Sequence, residues 1–308
     1  MSSSIAAALP KNRGLYYGGA WHAATGGEAP TINPATGGSL GPVAEANAAD
    51  VDAAARAAHA AFLSWRSVKP FERAPLLKQV AQRLREHADE LALLDAANCG
   101  NPVSAMIRDV HDGAAYIDYF AGLVAEAKGQ VMPMGDDVVN MTVREPYGVC
   151  ARIVAYNHPL MFAAMKIGCP LGVGNTVIIK PPPQAPLSAL RMMELIDGIL
   201  PPGVVNLVTG GRACGEALVA HPLIPVVSLV GSVESGRAVA QGAAARLKHY
   251  TLELGGKNAM IIYPDADKSR AIEGALKGMN FTWCGQSCGS TSRLFLHEAI
   301  HDEILDGV

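Results

Sequence analysis

Residues 148–180 read GVCARIVAYNHPLMFAAMKIGCPLGVGNTVIIK, and this stretch decides the fold of the chain. The short apolar run over residues 149–155 predicts a buried strand, residues 160–173 predict a helix, and residues 175–180 predict a second strand. A strand, a crossover helix and a second strand form a βαβ unit, in which the two strands run parallel.

The alternation of strands and helices continues to residue 254. Helices are predicted over residues 186–199, in a short segment after Gly211 and over residues 233–247, and strands over residues 204–208, 226–230 and 250–254. The predicted fold class is therefore α/β, a Rossmann-like parallel sheet flanked by helices. Ligands of such sheets bind at the carboxyl ends of the strands, and each candidate site residue below follows or ends a predicted strand.

The segment before residue 148 is predicted to be mainly helical. An Ala-rich helix over residues 50–65 has Asp50 as its N-terminal cap, one long helix covers residues 70–98, and another covers residues 104–128. Residues 138–144 have strand propensity between turn signals and predict a β-hairpin.

Composition excludes several classes of function. The 308 residues are enough for two domains, 17% of them are charged, and the net charge is −3. No basic surface for nucleic acid or an anionic membrane is expected from this balance. There is no apolar run of membrane-spanning length and no signal peptide in the first ten residues. The six cysteines lack zinc-ligand spacing, which predicts no metal site and a reducing, cytoplasmic location.

Two short motifs indicate chemistry. Residues 281–293 read FTWCGQSCGSTSR and place the thiol of Cys288 in a Gly-rich, polar segment, and residues 252–257 read LELGGK and place the carboxylate of Glu253 at a predicted strand end. A thiol needs a nearby base or a lowered pKa, because the thiolate is the nucleophile. Most single cysteines are small buried hydrophobes, and a lone Glu more often caps a helix or forms an ion pair. The hypothesis therefore depends on the two motifs occurring together.

Together these motifs resemble the signature motifs of the NAD(P)-dependent aldehyde dehydrogenase superfamily. The residues Gly285, Gln286, Cys288 and Arg293 fit the family pattern Gly-Gln-x-Cys-x-x-x-x-Arg, and Glu253 begins the pattern Glu-Leu-Gly-Gly-Lys. The resemblance implies that Cys288 attacks an aldehyde to form a thiohemiacetal and that hydride transfer to the nicotinamide then gives a thioester. It also implies that Glu253 activates the water that hydrolyses this thioester to the acid.

The resemblance sets three further expectations at these motifs. Burial at a strand end is expected to raise the pKa of Glu253, which suits a general base. Cys284 falls four residues before the family's nucleophile position and is assigned a structural or neighbouring role. Release of the acyl group to coenzyme A, the alternative within this chemistry, is disfavoured by the presence of Glu253.

Residues 155–160 read AYNHPL and resemble the family's Pro-Trp-Asn-Phe-Pro-Leu, with Tyr156 for Trp and His158 for Phe. The resemblance implies that the side-chain amide of Asn157 and the backbone N–H of Cys288 donate hydrogen bonds to the oxyanion of the tetrahedral intermediate. It also places Tyr156 beside the cofactor. The alternative for Asn157 is an ordinary turn Asn before Pro. Lys166, on the following helix, is either near the substrate or a surface lysine.

Two further stretches resemble the family's cofactor-binding segments. Lys180, in IIKPPP, matches a lysine that bonds the adenosine ribose, and Pro183 stands where the family often has an acidic residue. NAD is the expected cofactor, but NADP stays open because a 2′-phosphate would meet no carboxylate there. The segment GSVESG, with Gly231, Ser232 and Gly236, follows a strand and opens a helix, so its backbone N–H groups can face a pyrophosphate.

The resemblance also divides the chain. Residues 1–128 are the N-terminal part of a cofactor-binding domain, residues 129–147 an oligomerisation hairpin, residues 148–254 the Rossmann-like NAD(P)-binding domain, and residues 255–308 the start of an incomplete catalytic α/β domain. A homo-oligomer, dimer or tetramer, is expected of the full-length form, although an ordinary surface hairpin is the alternative. Because family members are longer, aggregation or poor activity is expected. The competing hypothesis is a truncated, inactive NAD(P)-binding fragment or interaction protein.

Overall fold

A computed structural model describes residues 3–308 of the chain. The strands in chain order are β1 (Leu15–Tyr17), β2 (Ala20–His22), β3 (Glu28–Ile32), β4 (Ser39–Ala44), β5 (Val131–Pro133), β6 (Val139–Met141), β7 (Val149–Ile153), β8 (Thr176–Lys180), β9 (Val205–Leu207), β10 (Val226–Gly231), β11 (His249–Leu254), β12 (Ala259–Ile262) and β13 (Arg293–Leu296). The helices are α1 (Ser3–Ala8), α2 (Ala48–Trp65), α3 (Pro70–Glu86), α4 (Ala88–Cys99), α5 (Val103–Gly122), α6 (Pro159–Gly172), α7 (Leu187–Ile196), α8 (Arg212–Ala220), α9 (Val233–Ala244), α10 (Lys268–Gly278) and α11 (His301–Gly307).

The central sheet has the strand order β11-β10-β7-β8-β9-β1-β2. The five strands from β7 to β11 pair in parallel, and β1 is antiparallel to both β9 and β2. The predicted fold class, a parallel sheet flanked by helices, is confirmed. The carboxyl ends of β7, β8, β10 and β11 lie along one edge of this sheet, which is where a ligand site is expected.

Apolar side chains cover both faces of the sheet. One core lies between the sheet and helices α3 to α7, and its fully buried members include Leu77, Leu84, Met106, Ile117 and Leu160. The second core lies under α2, α8 and α9, and includes Val51, Ala58, Leu218 and Val239. Burial of apolar surface on both faces is what holds a parallel sheet rigid, so the strand ends are fixed platforms for polar groups.

The predicted helix over residues 70–98 is wrong in one respect. The chain leaves helical geometry at His87 (φ −114°, ψ 24°), which separates α3 from α4. The His87 ring lies 3.0 Å from Glu90, and Glu90 accepts a hydrogen bond of 2.6 Å from Arg191 of α7. These long-range contacts lie next to the break, in a stretch whose helix propensity is continuous.

The predicted cap of α2 is also corrected. Asn47 is the N-cap and accepts hydrogen bonds from the N–H groups of Ala49 (2.8 Å) and Asp50 (3.2 Å). Asp50 lies three residues further on and accepts from the Asn47 N–H at 3.0 Å, which completes a capping box. Asp50 therefore supports the cap without being the cap itself.

The hairpin expected over residues 129–147 is present as the antiparallel pair of β5 and β6, with a shorter second strand than predicted. Val131 and Val139 on it are 74% and 80% exposed. Beyond β11 the parallel pair of β12 and β13, with α10 and α11, encloses a small separate core that includes Ile262, Ile300 and Ile304. Among the described helices, none combines the length and apolarity of a bilayer span.

Candidate active site

A cavity of about 1130 Å³ opens at the carboxyl edge of the central sheet. It lies where β7, β8, β10 and β11 end and where the segment after α10 returns to the sheet. The predicted site residues that line it are Tyr156, Asn157, Lys180, Gly231, Ser232, Glu253 and Cys288. Residues that are as far apart in sequence as Tyr156 and Cys288 thus face one space.

The cavity distinguishes Cys288 from the other five thiols. Cys288 is exposed and lines the cavity, whereas Cys284, also exposed, lies outside the lining with its Sγ 3.7 Å from the carbonyl of Gly100. Burial raises the pKa of Cys99 to about 12 and those of Cys150 and Cys214 to about 11. These three are held as thiols and are poor nucleophiles.

The backbone at Cys288 is held from two sides. Residues 284–289, here called the thiol loop, begin with Cys284 and Gly285 in left-handed conformations, φ 55° and 69°. At the other end, the side-chain amide of Asn258 donates a hydrogen bond of 3.0 Å to the Cys288 carbonyl. Because Asn258 lies in the loop that follows β11, the strand of Glu253, this hydrogen bond ties that loop directly to the thiol loop.

Glu253 lies on β11, the edge strand of the sheet, and its side chain is exposed. The burial expected for it was wrong, because an edge strand is paired on one side only. The charge of Glu253 acts on Lys166 of α6. Burial, followed by the charge of Arg152, lowers the pKa of the Lys166 ammonium, while Glu253 acts in the opposite direction. Lys166 itself does not line the cavity.

Asn157 is fixed by a cycle of three side-chain amides. Its Nδ2 donates to the carbonyl of Gln286 at 2.8 Å, and its own carbonyl accepts from Asn101 at 2.8 Å. The Gln286 amide in turn donates to Asn101 at 3.4 Å. A primary amide has two N–H groups. One of them is used in this cycle, and the other has no hydrogen-bond acceptor among the described residues.

Lys180 ends β8 and is only 5% exposed. Over residues 3–308 the Lys180 ammonium has no carboxylate at ion-pair distance. It donates a hydrogen bond of 3.3 Å to the carbonyl of Pro181. Burial lowers its pKa, with Cys214 and Glu45 acting in the opposite direction. A buried ammonium with so few partners is costly, which is typical of a group that awaits a ligand.

The turn from β10 into α9 presents a helix N-terminus to the cavity. Ser232 is the N-cap, and its Oγ accepts from the N–H of Ser235 at 3.1 Å. Gly236 has a different position from Gly231 and Ser232: it is buried, it does not line the cavity, and a Cβ there would approach Leu254 to 2.8 Å. Its lack of a side chain allows α9 to pack closely on β11.

The sequence analysis missed one buried polar cluster beside this cavity. Asp109 of α5 accepts from His158 at 2.7 Å and from the indole N–H of Trp283 at 3.1 Å. His158 was noted only as a replacement for Phe, and Asp109 lies 49 residues from His158 and 174 residues from Trp283 along the chain. A His directly after the candidate residue Asn157 was the one available signal. Within the described residues, no group of three or more metal-binding side chains is present.

The fold and the cavity define a class of protein. In this class the carboxyl edge of a parallel α/β sheet carries both an accessible thiol and a helix N-terminus that can bind a phosphate group. Residues 21–308 match the aldehyde dehydrogenase family, and the chain belongs to that family. It is 50% identical over 305 residues to aldehyde dehydrogenase tropH of Talaromyces stipitatus, covering 98% of this chain and 59% of that protein.

Solved structures agree with this assignment. PnpE of Pseudomonas sp. WBC-3, in a structure with nicotinamide adenine dinucleotide, has a TM-score of 0.92 at 39% identity, over 96% of this chain and 61% of PnpE. An NADP-dependent enzyme of E. coli has a TM-score of 0.93 at 33% identity, over 98% of this chain and 63% of that one. The chain therefore spans about three fifths of the length of the relatives that it matches.

Proposed function

We propose that the protein oxidises an aldehyde to a carboxylic acid with NAD(P)⁺, and that Cys288 is the nucleophile. The observation that carries the proposal is the shared cavity: Cys288, Asn157 and Glu253 come from three separate segments and line the same space. Attack of the thiolate on the aldehyde carbon forms a C–S bond and places negative charge on the aldehyde oxygen. Loss of hydride from the same carbon then leaves a thioester on Cys288.

Asn157 and Glu253 have separate roles in this proposal. The free N–H of the Asn157 amide, with the backbone N–H of Cys288, stabilises the developing oxyanion. The hydrogen bond to the Gln286 carbonyl orients this amide relative to the thiol loop. Glu253 accepts a proton from the water that attacks the thioester, which restores the thiol and releases the acid. Its exposure is compatible with this role, because the attacking water must reach it.

The residues present fit a dinucleotide. In this proposal the poorly paired ammonium of Lys180 bonds ribose hydroxyls, and the N-terminus of α9 at Ser232 binds the pyrophosphate. Tyr156 and Pro183 also line the cavity. When bound, the nicotinamide supplies the hydride acceptor. The absence of a carboxylate at Pro183 is compatible with either NAD⁺ or NADP⁺, with NAD⁺ the expected cofactor.

Two broader features belong to the same proposal. The exposed valines of the β5–β6 hairpin support a homo-oligomer of the full-length form, since apolar surface of this kind is commonly covered by another subunit. The six cysteines are all free, which supports a reducing, cytoplasmic location. The second candidate is a catalytically inactive NAD(P)-binding protein, for which Lys180 and Ser232 in the cavity lining would suffice without Cys288.

The test of the proposed function is a direct assay of the purified, folded chain with hexanal or benzaldehyde and either NAD⁺ or NADP⁺. We expect aldehyde-dependent formation of the reduced nicotinamide, followed by its absorbance, and the matching carboxylic acid, followed by chromatography. Nucleotide binding without reduction would support the inactive alternative. Formation of a thioester of added coenzyme A in place of the free acid would contradict the role given to Glu253.

Replacement of Lys180 separates cofactor binding from the chemistry of the thiol. We expect Lys180→Met to weaken NAD⁺ binding by about tenfold, since about one charge-assisted hydrogen bond is lost, while the buried aliphatic stem is conserved. Isothermal titration calorimetry measures this change. Lys257→Met, an exposed lysine that does not line the cavity, is the control and should leave the affinity unchanged. Equal affinities of the Lys180 variant and the wild type would contradict the assignment.

A further inference from the structure

The Asp109–His158–Trp283 cluster, here called the Asp109 bridge, lies outside the cavity lining but touches both segments that form the oxyanion site. We propose that Asp109 is a positioning residue that fixes the spacing between Asn157 and the thiol loop. The inference rests on the proposed function, because it assigns a purpose to that spacing. The structural link itself is independent of the chemistry.

The two carboxylate oxygens of Asp109 serve different segments. Oδ2 lies 2.7 Å from Nδ1 of His158, the residue that follows Asn157. Oδ1 accepts a hydrogen bond of 3.1 Å from Nε1 of Trp283, which precedes the thiol loop. One side chain on α5 therefore joins the end of β7 to the segment that leads to Cys288.

Because Asp109 and His158 are buried, the Asp109 carboxylate depends on both of its hydrogen bonds. Asp109 is 1% exposed and His158 8% exposed. A carboxylate removed from water needs partners for its oxygens, so losing either partner is unfavourable in a way that losing a surface hydrogen bond is not. The ring of Trp283 also contacts the His158 ring, with centroids 5.4 Å apart, and lies beneath the Arg108 guanidinium at 5.5 Å. Trp283 is thereby restrained in orientation as well as in position.

The helix that carries Asp109 is a rigid support. Helices α5 and α6 approach closely enough that a Cβ on Gly168 would lie 3.0 Å from Cα of Ile117, and one on Gly113 would lie 3.1 Å from Cβ of Ala164. Helices packed this closely cannot shift far relative to one another, so Asp109 has a fixed position relative to α6. The first turn of α6 has a second tie, since the N–H of Leu160 donates to the buried carboxylate of Asp95 at 3.1 Å.

One further charged group, Asp95, lies near Asp109 and His158. Burial, and the nearby charge of Asp109, raise the pKa of Asp95 to about 7, with the Leu160 N–H and His158 acting in the opposite direction. Asp95, Asp109 and His158 are all buried, and the charges of Asp109 and His158 act on Asp95. The hydrogen bond between His158 and Asp109 explains why position 158 holds a His and not an apolar ring. The His158 ring supplies the N–H that the buried Asp109 carboxylate requires.

Positioning predicts a selective effect that simple destabilisation would not produce. Acylation of Cys288 by p-nitrophenyl acetate forms a thioester, releases p-nitrophenolate and passes through a tetrahedral oxyanion. Alkylation of the same thiol by iodoacetamide forms a C–S bond and releases iodide without any oxyanion. A displaced Asn157 or Cys288 N–H should therefore slow the first reaction and leave the second unchanged. Neither reaction needs a cofactor.

The experiment compares Trp283→Phe, which removes one hydrogen-bond donor and keeps an aromatic ring, with the wild type. We expect the acylation rate at Cys288 to fall by about tenfold, and the alkylation rate to stay within about twofold, because geometry and not the thiol itself is changed. Asp109→Asn, which loses the charged bond to His158, should shift the same ratio in the same direction. Rates are assigned to Cys288 by peptide mass spectrometry.

Each of the two substitutions has a matched control of the same residue type. Asp112→Asn lies on α5 and is exposed, and Trp21→Phe removes a half-buried indole at the far edge of the sheet. Both should leave the ratio of acylation to alkylation unchanged. An unchanged ratio in Trp283→Phe and Asp109→Asn, or a parallel fall of both rates, would overturn the positioning role.

A second measurement keeps the inference apart from the proposed function. Amide hydrogen exchange of residues 281–289 should become faster in Trp283→Phe and in Asp109→Asn but not in the two control variants, because the bridge restrains that segment. If the wild type gave no acylation at Cys288, the proposed function would fail, while the exchange result would still decide whether the bridge exists. Unchanged exchange in both variants would refute it.

Discussion

Cys288→Ser should abolish acyl transfer. We expect the rate of p-nitrophenyl acetate acylation at this position, and any aldehyde oxidation, to fall by about 10⁴-fold or more, which is typical when the attacking atom of an enzyme is removed. A serine hydroxyl is a far weaker nucleophile than a thiol at neutral pH, and no imidazole lines the cavity within the described residues to activate it. A stopped-flow measurement of p-nitrophenolate release checks this.

The control is the neighbouring cysteine. Cys284→Ser changes the same atom type four residues away in the same loop, and Cys284 is exposed but does not line the cavity. We expect its acylation rate to stay within about twofold of the wild type, because accessibility to the cavity and not exposure alone selects the nucleophile. Comparable losses in both variants would show that the loop, and not Cys288 itself, is what matters.

The sheet could be predicted from the sequence because its strands are short, apolar and separated by helices. Each of the five parallel strands was placed to within a few residues, since a buried parallel strand has a continuous apolar run. The break at His87 could not be predicted in this way. Nothing in the local propensity next to His87 interrupts a helix, and the contacts next to the break involve Arg191, about a hundred residues away.

Several members of the cavity lining could be predicted from motifs, but their environment could not. The motifs around Cys288, Asn157 and Lys180 identified side chains that the fold brings into one cavity. The burial expected for Glu253 failed, because sequence alone did not show that β11 is an edge strand. The Asp109 bridge was missed, since its three members lie on α5, before α6 and before the thiol loop, and no local pattern joins them.

One physical reason explains why the motif residues could be found from the sequence and the supporting residues could not. Motif residues are recognisable because the chemistry requires their type, whereas supporting residues need only supply a suitable hydrogen bond from wherever the fold allows. Asn101 illustrates this: it bonds both the Asn157 carbonyl and the Gln286 amide, yet it lies in a Gly-Asn-Pro turn that predicts only a helix end. Structure is needed to find such residues.

Glu253→Gln should separate the two halves of the reaction. We expect the acylation burst at Cys288 to persist with p-nitrophenyl acetate, and the subsequent steady-state turnover to fall by about 10²–10⁴-fold, because a Gln cannot accept the proton of the attacking water. Intact-protein mass spectrometry should then show the acetylated chain accumulating. Since Glu253 is exposed on an edge strand, its replacement by an isosteric amide should leave the fold unchanged.

Glu234→Gln is the matched control for this experiment, because Glu234 is a second carboxylate that lines the cavity but belongs to the first turn of α9. In the cofactor-free ester assay it should retain both the burst and the turnover. Loss of the burst in Glu253→Gln would instead mean that the carboxylate activates the thiol, which moves its role from deacylation to attack. Unchanged turnover would remove Glu253 from the chemistry and favour a water activated by another group.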